Sequence, residues 1–472
     1  MLTFNLLATL QIIDLARAPA AVQQITRQAK MCTLITGLSA GRALVRTTSQ
    51  DTAKHGAAAL VKPDARILIY GINYAPELIG VGKYTGELGA YLVEQGHPLE
   101  VVTAAPHYPG WSIKPPFKNR YSVQRSPGLR VTRCPLVLNK NMRGIWRIIA
   151  PLTFALASAP VAIWRILTTR ADTVICVEPT LFGAPFALVA AKMIGARTIL
   201  HVQDLEIDAA FAVGHLTGGW LKSLAKLFEE HTLRHFDSVV TISEQMRRRL
   251  RDKGVDEQRL VVIRNWVDPT KIKPMQGPNR FRNELSLKND VFVALYAGNI
   301  GAKQGLHIVR DAAALLKDEP NIVLIVAGEG PERAKLMAGA PPNMRFLPLQ
   351  PEALLSELLS AADVHLLPQD SGAADLVLPS KLGGMLASGK PLIVQAAEGT
   401  ELHLFLNGAA TIIEAGDARA LADAIRARLP DKPEIKKRRR ALVTELSVAA
   451  ILPRFRSLIV NQSEPDGAVQ AK

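Results

Sequence analysis

The stretch VFVALYAGNIGAKQGL, running from Val291 to Leu306, decides the fold. Its first seven residues form an apolar, β-branched run that reads as a buried parallel strand. Gly298–Gly305 then makes a glycine-rich turn, and an amphipathic helical pattern starts at Leu306. A strand, a glycine turn and a helix N-terminus in succession form a phosphate cradle. Backbone N–H groups converge there and the helix dipole favours an anion. Gly298, Asn299 and Gln304 line this turn, and Lys303 adds a cation. Taken alone, the turn reads equally as a tight strand-to-helix connection. It gains force from a second glycine turn at Gly80–Gly82 and a third phosphate-type segment, LPSKLGG, at Leu378–Gly384. Two nucleotide-type halves facing each other suggest a transferase acting on a nucleotide-activated substrate.

The rhythm spreads outward from this stretch in both directions. Strand candidates precede it at Arg66–Tyr70, Leu99–Thr103, Thr173–Val177, Arg197–Val202, Ser238–Ile242 and Leu260–Arg264, with helical patterns between most of them. After a polar stretch at Asp268–Asp290 the alternation resumes at Val291–Ala297, Ile322–Gly328, Met344–Pro348, Asp363–Pro368, Pro391–Gln395 and Ala410–Glu414. Continuous apolar strands alternating with helices predict an α/β protein of two doubly wound, Rossmann-like domains. The boundaries read as 1–63 for a poorly structured extension, 64–266 for the first domain, 267–440 for the second, and 441–472 for a helix returning toward the first domain, with a tail. In such sheets ligands bind beyond the carboxyl ends of the strands, so the loops there carry the chemistry.

The chain has 472 residues, enough for two cores, and 48% of them are hydrophobic. Its three cysteines, Cys32, Cys134 and Cys176, are too scattered for a disulfide framework or a zinc site. No metal is expected, and a reducing compartment is. The formal net charge of +15 permits an anionic lipid or polyphosphate partner. Nucleic acid is the poorest fit, because the basic runs Arg247–Arg251 and Lys436–Arg440 lack interleaved aromatics. The first 63 residues hold seven Lys/Arg against two Asp and show no strand–turn–helix rhythm. They read as an extension, or as a start set too far upstream.

Ile148–Trp164 breaks the pattern with 17 residues free of charge. Arg143, Arg147, Arg165 and Arg170 flank it, and Trp146 and Trp164 stand near its ends. Three readings stay open: a core or surface helix, a membrane-interface helix, and a span, for which about 20 apolar residues are needed.

Several loops carry candidate site residues. Gly80, Gly82, Lys83 and Tyr84 follow the first strand and open a helix near Lys83. His107 lies in an aromatic, proline-rich loop after the second strand, which suits stacking on a sugar or lipid headgroup. His201 and Asp204 belong to HVQDLEID, a loop with one His and three carboxylates. This inventory suits sugar hydroxyls or acid–base work, and a buried, hydrogen-bonded His201 competes with that reading. Arg264 closes the last strand of the first half, where it faces the other domain's phosphate site. Gly328, Glu329 and Gly330 make a turn that suits a ribose. In Pro379-Ser380-Lys381, proline starts a helix, and Ser380 and Lys381 present a hydroxyl and a cation to a diphosphate.

With these motifs together the chain resembles the retaining glycosyltransferases of the GT-B fold, family-4 type, and most of all those of colanic acid and related exopolysaccharide or O-antigen assembly. The likeness rests on Tyr70–Gly89, Ala105–Trp111, Glu178–Pro185, Leu200–Ala209, RNWVD at Arg264–Asp268, Tyr296–Leu306, Gly372–Leu382 and Leu386–Val394. It covers about residues 65–460. The general family pattern has an arginine and a lysine where this chain has Asn299 and Gln304. Its two glutamates, with seven residues between them, would fall near Leu376 and Gly384, where neither is present. Lys303 and Lys381 are read as replacing the missing cations, and Asp375 as covering part of the first glutamate's role.

The resemblance implies transfer of a sugar, with retention, from a nucleotide sugar as co-substrate, without a metal or other cofactor. The implied acceptor is a polyprenyl-diphosphate-linked saccharide. The implied place is the inner face of the cytoplasmic membrane, on an anionic surface. A GT-B epimerase or phosphorylase, or a non-catalytic nucleotide-binding domain, is the competing reading.

Overall fold

The computed structural model describes residues 64–139, 146–179, 181–205, 219–301, 304–369, 378–428 and 430–460. The extension over residues 1–63, Lys303, Asp375 and the end of the tail lie outside the described residues.

The first sheet has eight strands: β1 (Ile67–Gly71), β2 (Leu99–Ala104), β3 (Ser122–Ser126), β4 (Leu129–Cys134), β5 (Thr173–Glu178), β6 (Arg197–Val202), β7 (Ser238–Thr241) and β8 (Leu260–Val262). Their order is β3-β4-β2-β1-β5-β6-β7-β8. All neighbours run parallel except β3, which turns back on β4 at the edge. The β3/β4 hairpin is absent from the sequence reading because all five residues of β3 are exposed and mostly polar. Gly128, at φ 71°, makes its tight turn.

The second sheet has six parallel strands: β9 (Phe292–Ala297), β10 (Ile322–Ala327), β11 (Met344–Leu347), β12 (Val364–Leu367), β13 (Leu392–Gln395) and β14 (Thr411–Ile413). Their order, β11-β10-β9-β12-β13-β14, is that of a dinucleotide-binding fold, with the switch point between β9 and β12. The glycine turn after β9 therefore stands at the ligand crevice.

Period-2 alternation sends successive residues of each strand into opposite cores. Leu68 and Tyr70 join a core shared with the helices Trp146–Thr169 and Ala184–Met193. Ile67 and Ile69 join one shared with the helices Val81–Glu94 and Val448–Val460. Within the latter, Ile451, Leu452, Phe455 and Ile459 from the end of the chain pack under the first sheet. Burying each such side chain stabilises the fold by about 1.5–3 kcal/mol.

The chain crosses between the domains twice, side by side. Val267 bridges Ser447, Val267 N donates to Leu446 O at 2.8 Å and Val448 N donates to Val267 O at 3.0 Å. The polar stretch after Asp268 is not a free linker. Lys273 and Met275 backbone N–H groups donate to Ser356 and Ser360, and Phe281 is buried in the second domain's core.

The helix Trp146–Thr169 is long and apolar enough to cross a membrane by length and composition. One side of it is a layer of the first domain: Phe154 is fully buried, its ring 5.8 Å from that of Tyr70, and Arg165 pairs with Glu100.

Candidate active site

The strand β9 ends in Tyr296-Ala297, and the turn that starts at Gly298 is locked by the loop after β10. Ile300 N donates to Glu329 O at 2.8 Å and Glu332 N donates to Ile300 O at 3.1 Å. The two loops touch so closely that a Cβ at Gly328 would stand 1.8 Å from Gly298 O, and one at Gly330 2.2 Å from Ile300 O. Glycine is required at both positions for this approach. Gly305, at φ 63°, caps the helix Leu306–Leu315, whose N-terminus faces the turn.

Lys381 comes from the other side of the switch point and lies across this turn. Its Cδ would be 3.2 Å from a Cβ at Gly298. Its ammonium donates to Tyr296 Oη at 2.9 Å and Gln304 Oε1 at 3.1 Å, and sits 4.0 Å from the Tyr296 ring centre. Burial pulls its pKa down to about 7. A cation held in a low-dielectric crevice over a glycine turn and a helix N-terminus is a site for a phosphate group.

The first domain meets this site at the helix Val81–Glu94. The helix starts at Val81, two residues ahead of the sequence expectation, after Gly80 at φ 67°. Tyr84, 4% exposed, sends its hydroxyl across to Ser380 O at 3.2 Å. Lys83 bonds Glu87 at 2.8 Å and covers the Tyr84 ring. Beside the helix, His107 is buried with Nδ1 2.9 Å from Ala105 O. Tyr108 and Trp111 stand edge to face at 5.5 Å. Burial, and then the carboxylates of Glu77 and Asp204, push the Tyr108 phenol up, which sets exposed Asp204 near this aromatic loop. Among the described residues no group of three or more His, Cys, Asp or Glu could hold a metal ion.

Family models match both halves of the chain: a glycosyl transferase 4-like domain over residues 80–266 and glycosyl transferases group 1 over residues 279–443. The chain is 39% identical to the putative colanic acid biosynthesis glycosyl transferase WcaI of Escherichia coli (strain K12), over 76% of this chain and 91% of that one. The chain belongs to the group 1 glycosyltransferases. Solved structures of the same two-domain GT-B architecture include sucrose-phosphate synthase from Thermosynechococcus elongatus, at TM-score 0.64 and 16% identity over 83% of this chain and 98% of that one. Anabaena Alr3699/HepE in complex with UDP and glucose matches at TM-score 0.59 and 14% identity, over 84% and 99%.

In this glycosyltransferase the structure decides between the two readings of His201 and brings Arg264 against the other domain. His201 is 1% exposed. It shares the sheet face of Ile199, packs edge-on against Phe455 at 5.0 Å, and has Nε2 3.0 Å from Gln203 Nε2. Burial lowers its pKa to about 3, so it is a neutral interior residue and not an acid–base group. Arg264 sits at the seam between the domains, where it lines a small cavity together with Pro379 and Ser380 of the third phosphate-type segment. Its guanidinium pairs with Glu401 at 2.9 Å and covers the Phe405 ring at 5.1 Å. Glu329 is exposed, 3.8 Å from Arg333, at the mouth of the turn.

Two residues of the glycosyltransferase site escape a motif reading. Tyr296 reads as one more apolar strand position. Glu77 sits unremarked in the loop after β1, yet its buried carboxylate organises that end of the cleft. Oε1 accepts the backbone N–H groups of His107 and Tyr108 at 3.0 and 3.1 Å, and Oε2 accepts Asn73 Nδ2 at 2.9 Å. A Cβ at Gly82 would lie 2.2 Å from Oε2, which is why glycine stands there.

Proposed function

We propose that this glycosyltransferase moves a sugar, with retention at the anomeric carbon, from a nucleotide sugar to a polyprenyl-diphosphate-linked saccharide during exopolysaccharide assembly of the colanic acid or O-antigen kind. The observation that carries the donor half is Lys381, a part-buried cation lying over the Gly298 turn. UDP, which the Anabaena protein binds in its structure, is the kind of group this crevice suits. The pathway is proposed from the name of the Escherichia coli relative.

In the reaction the bond between the sugar's anomeric carbon and the diphosphate oxygen breaks, and a bond to an acceptor hydroxyl oxygen forms. The nucleoside diphosphate departs carrying the electron pair of the broken bond, and its oxygen takes up the proton released by the acceptor hydroxyl. Charge grows on the diphosphate, so groups fixed beforehand around it lower the barrier. Lys381, the helix N-terminus at Leu306 and the N–H groups of the turn serve that role, with Asn299, Gln304 and Ser380 beside them, and Lys303 is proposed for it from the sequence alone. Glu329 suits ribose hydroxyls, and Asp375 belongs to the same donor set. Asp204, His107, Tyr108 and the Gly80–Gly82 loop form the acceptor side, where aromatic faces suit sugar rings.

The same reading places the protein on the inner face of the cytoplasmic membrane. The paired helices Trp146–Thr169 and Ala184–Met193 expose Leu152, Leu156, Trp164, Phe186, Val189 and Met193. Exposed Lys192 stands on the second of these helices, and exposed Arg170 directly follows the end of the first. A contiguous apolar face with basic neighbours suits an anionic bilayer surface.

The test is product analysis. Purified protein is incubated with a panel of nucleotide sugars and polyprenyl-diphosphate-linked saccharides, and the new linkage is examined by NMR. The reading expects one donor to be consumed with its anomeric configuration kept. Inversion, or turnover without a glycosylated product, overturns it.

A further inference from the structure

Among the described residues no carboxylate holds the Lys381 ammonium. Its described partners are a phenol and an amide, both neutral, and the phenol belongs to a residue that is 0% exposed. Tyr296 has a second bond: its hydroxyl donates to Asn299 O at 2.6 Å, within the glycine turn itself. One oxygen thus ties the turn after β9 to Lys381 from beyond β12. Because the hydroxyl hydrogen is committed to Asn299, its lone pairs face the ammonium. The ring below adds a cation–π contact at 4.0 Å. Burial pushes the Tyr296 phenol up, so it stays neutral at working pH. Among the described residues Tyr296 Oη and Gln304 Oε1 occupy two of the three ammonium hydrogens, and a ligand over Gly298 is in place to take the third.

From this geometry we infer that Tyr296 is a positioning residue: it aims the Lys381 ammonium at the donor diphosphate and fixes the turn that receives it. The inference rests on the reading of Lys381 as the donor-site cation. It explains how this chain works without the family's arginine and lysine in the turn. A lysine on a flexible four-carbon stem is a poor fixed charge by itself. Electrostatic help at a transition state depends on the charge already being in place. A neutral hydroxyl and amide hold it there without neutralising it, whereas a carboxylate partner would compete with the phosphate.

Tyr296→Phe keeps the ring, the packing and the cation–π contact and removes only the shared oxygen. UDP, GDP and ADP are titrated calorimetrically into the full-length protein, and the tightest binder is carried through Tyr296→Phe, Lys381→Ala and the double variant. The loss expected for Tyr296→Phe is about tenfold in affinity, the worth of one hydrogen bond to a charged group. Its loss of kcat in donor turnover should exceed its rise in KM. The double variant should bind no more weakly than Lys381→Ala, because Tyr296 acts through that lysine. Wild-type affinity in Tyr296→Phe beside a loss in Lys381→Ala overturns the role of Tyr296 alone. Additive losses in the double variant do so as well. Wild-type affinity in Lys381→Ala overturns the donor-site reading beneath it.

Discussion

Arg264 Nη2 lies 2.9 Å from Glu401 Oε1, an ion pair that ties the end of the first domain to the helix Glu401–Leu406 of the second. Glu401 is 4% exposed, and its other oxygen accepts the backbone N–H of Gln245 from the first domain. A second crossing, Tyr84 Oη to Ser380 O, lies nearer the phosphate turn. The two contacts hold the domains together around the paired crossing at Val267 and Ser447.

Arg264→Ala should therefore act on stability and domain coupling before chemistry. Removing it leaves a buried carboxylate short of its partner, which costs about 2 kcal/mol once the partial exposure of Arg264 is allowed for. Glu401→Gln, which keeps an acceptor and loses the charge, should cost less. Thermal melts decide the matter together with nucleoside diphosphate titration. A fall in melting temperature with nearly unchanged affinity is expected. The reverse would return Arg264 to the phosphate site.

Lys381 predicts a pH dependence with a definite sign. Burial holds its pKa near about 7 in the free protein, with the neutral Tyr296 and Gln304 as its described partners. A diphosphate needs the charged form, so binding draws a proton onto Lys381 whenever the pH is above that value. Nucleoside diphosphate affinity should fall above pH ~7 by up to about tenfold per unit. Stability runs the other way. Between pH ~7 and about 10.4 the unfolded chain holds a proton that the folded chain has lost, so this group makes stability rise with pH. Lys381→Met should remove both slopes. Calorimetric titrations from pH 6 to 9 check the first, and a flat affinity profile counts against a neutral Lys381.

The same network limits what restoring the family's residue can achieve. Gln304→Lys returns the lysine that the general pattern has near the end of the turn. Here it would remove an acceptor 3.1 Å from the Lys381 ammonium and bring a second positive charge beside it. Like charges in a buried crevice repel and lower each other's protonation. Donor turnover should drop severalfold rather than rise, and the Lys381 titration should move to lower pH. A gain in turnover would show that the turn has room for two cations.

The sequence exposed the architecture because parallel sheets covered on both faces need continuous apolar strands, and β9, β10 and β6 all have them. It missed β3 and β4 because an edge hairpin with an exposed face lacks that signature. Glycine turns were legible because glycines mark positions such as Gly328 and Gly330, where close backbone approach excludes a side chain. Residue roles were harder to read. His201 stands in a polar loop by sequence, but strand alternation buries it against Phe455, a residue more than 250 positions away. Tyr296 and Glu77 act through partners that only the folded chain brings near.

The exposed apolar face gives the last prediction. Leu156 and Val189 are 66% and 60% exposed on neighbouring helices that otherwise pack into the first domain. Neither side chain is needed for the core, so Leu156→Glu with Val189→Glu should leave the melting temperature and nucleoside diphosphate affinity unchanged. On a bilayer containing anionic lipid the pair of substitutions removes apolar area and adds two negative charges. At about 25 cal/mol per Å² of lost burial, with charge repulsion added, vesicle affinity should fall at least about tenfold. Raising the salt should release part of the wild-type protein, because the basic contribution is screened within about 8 Å at physiological ionic strength. Sedimentation with vesicles of defined anionic content measures both effects. Undiminished binding by the double variant would mean that some other surface meets the membrane.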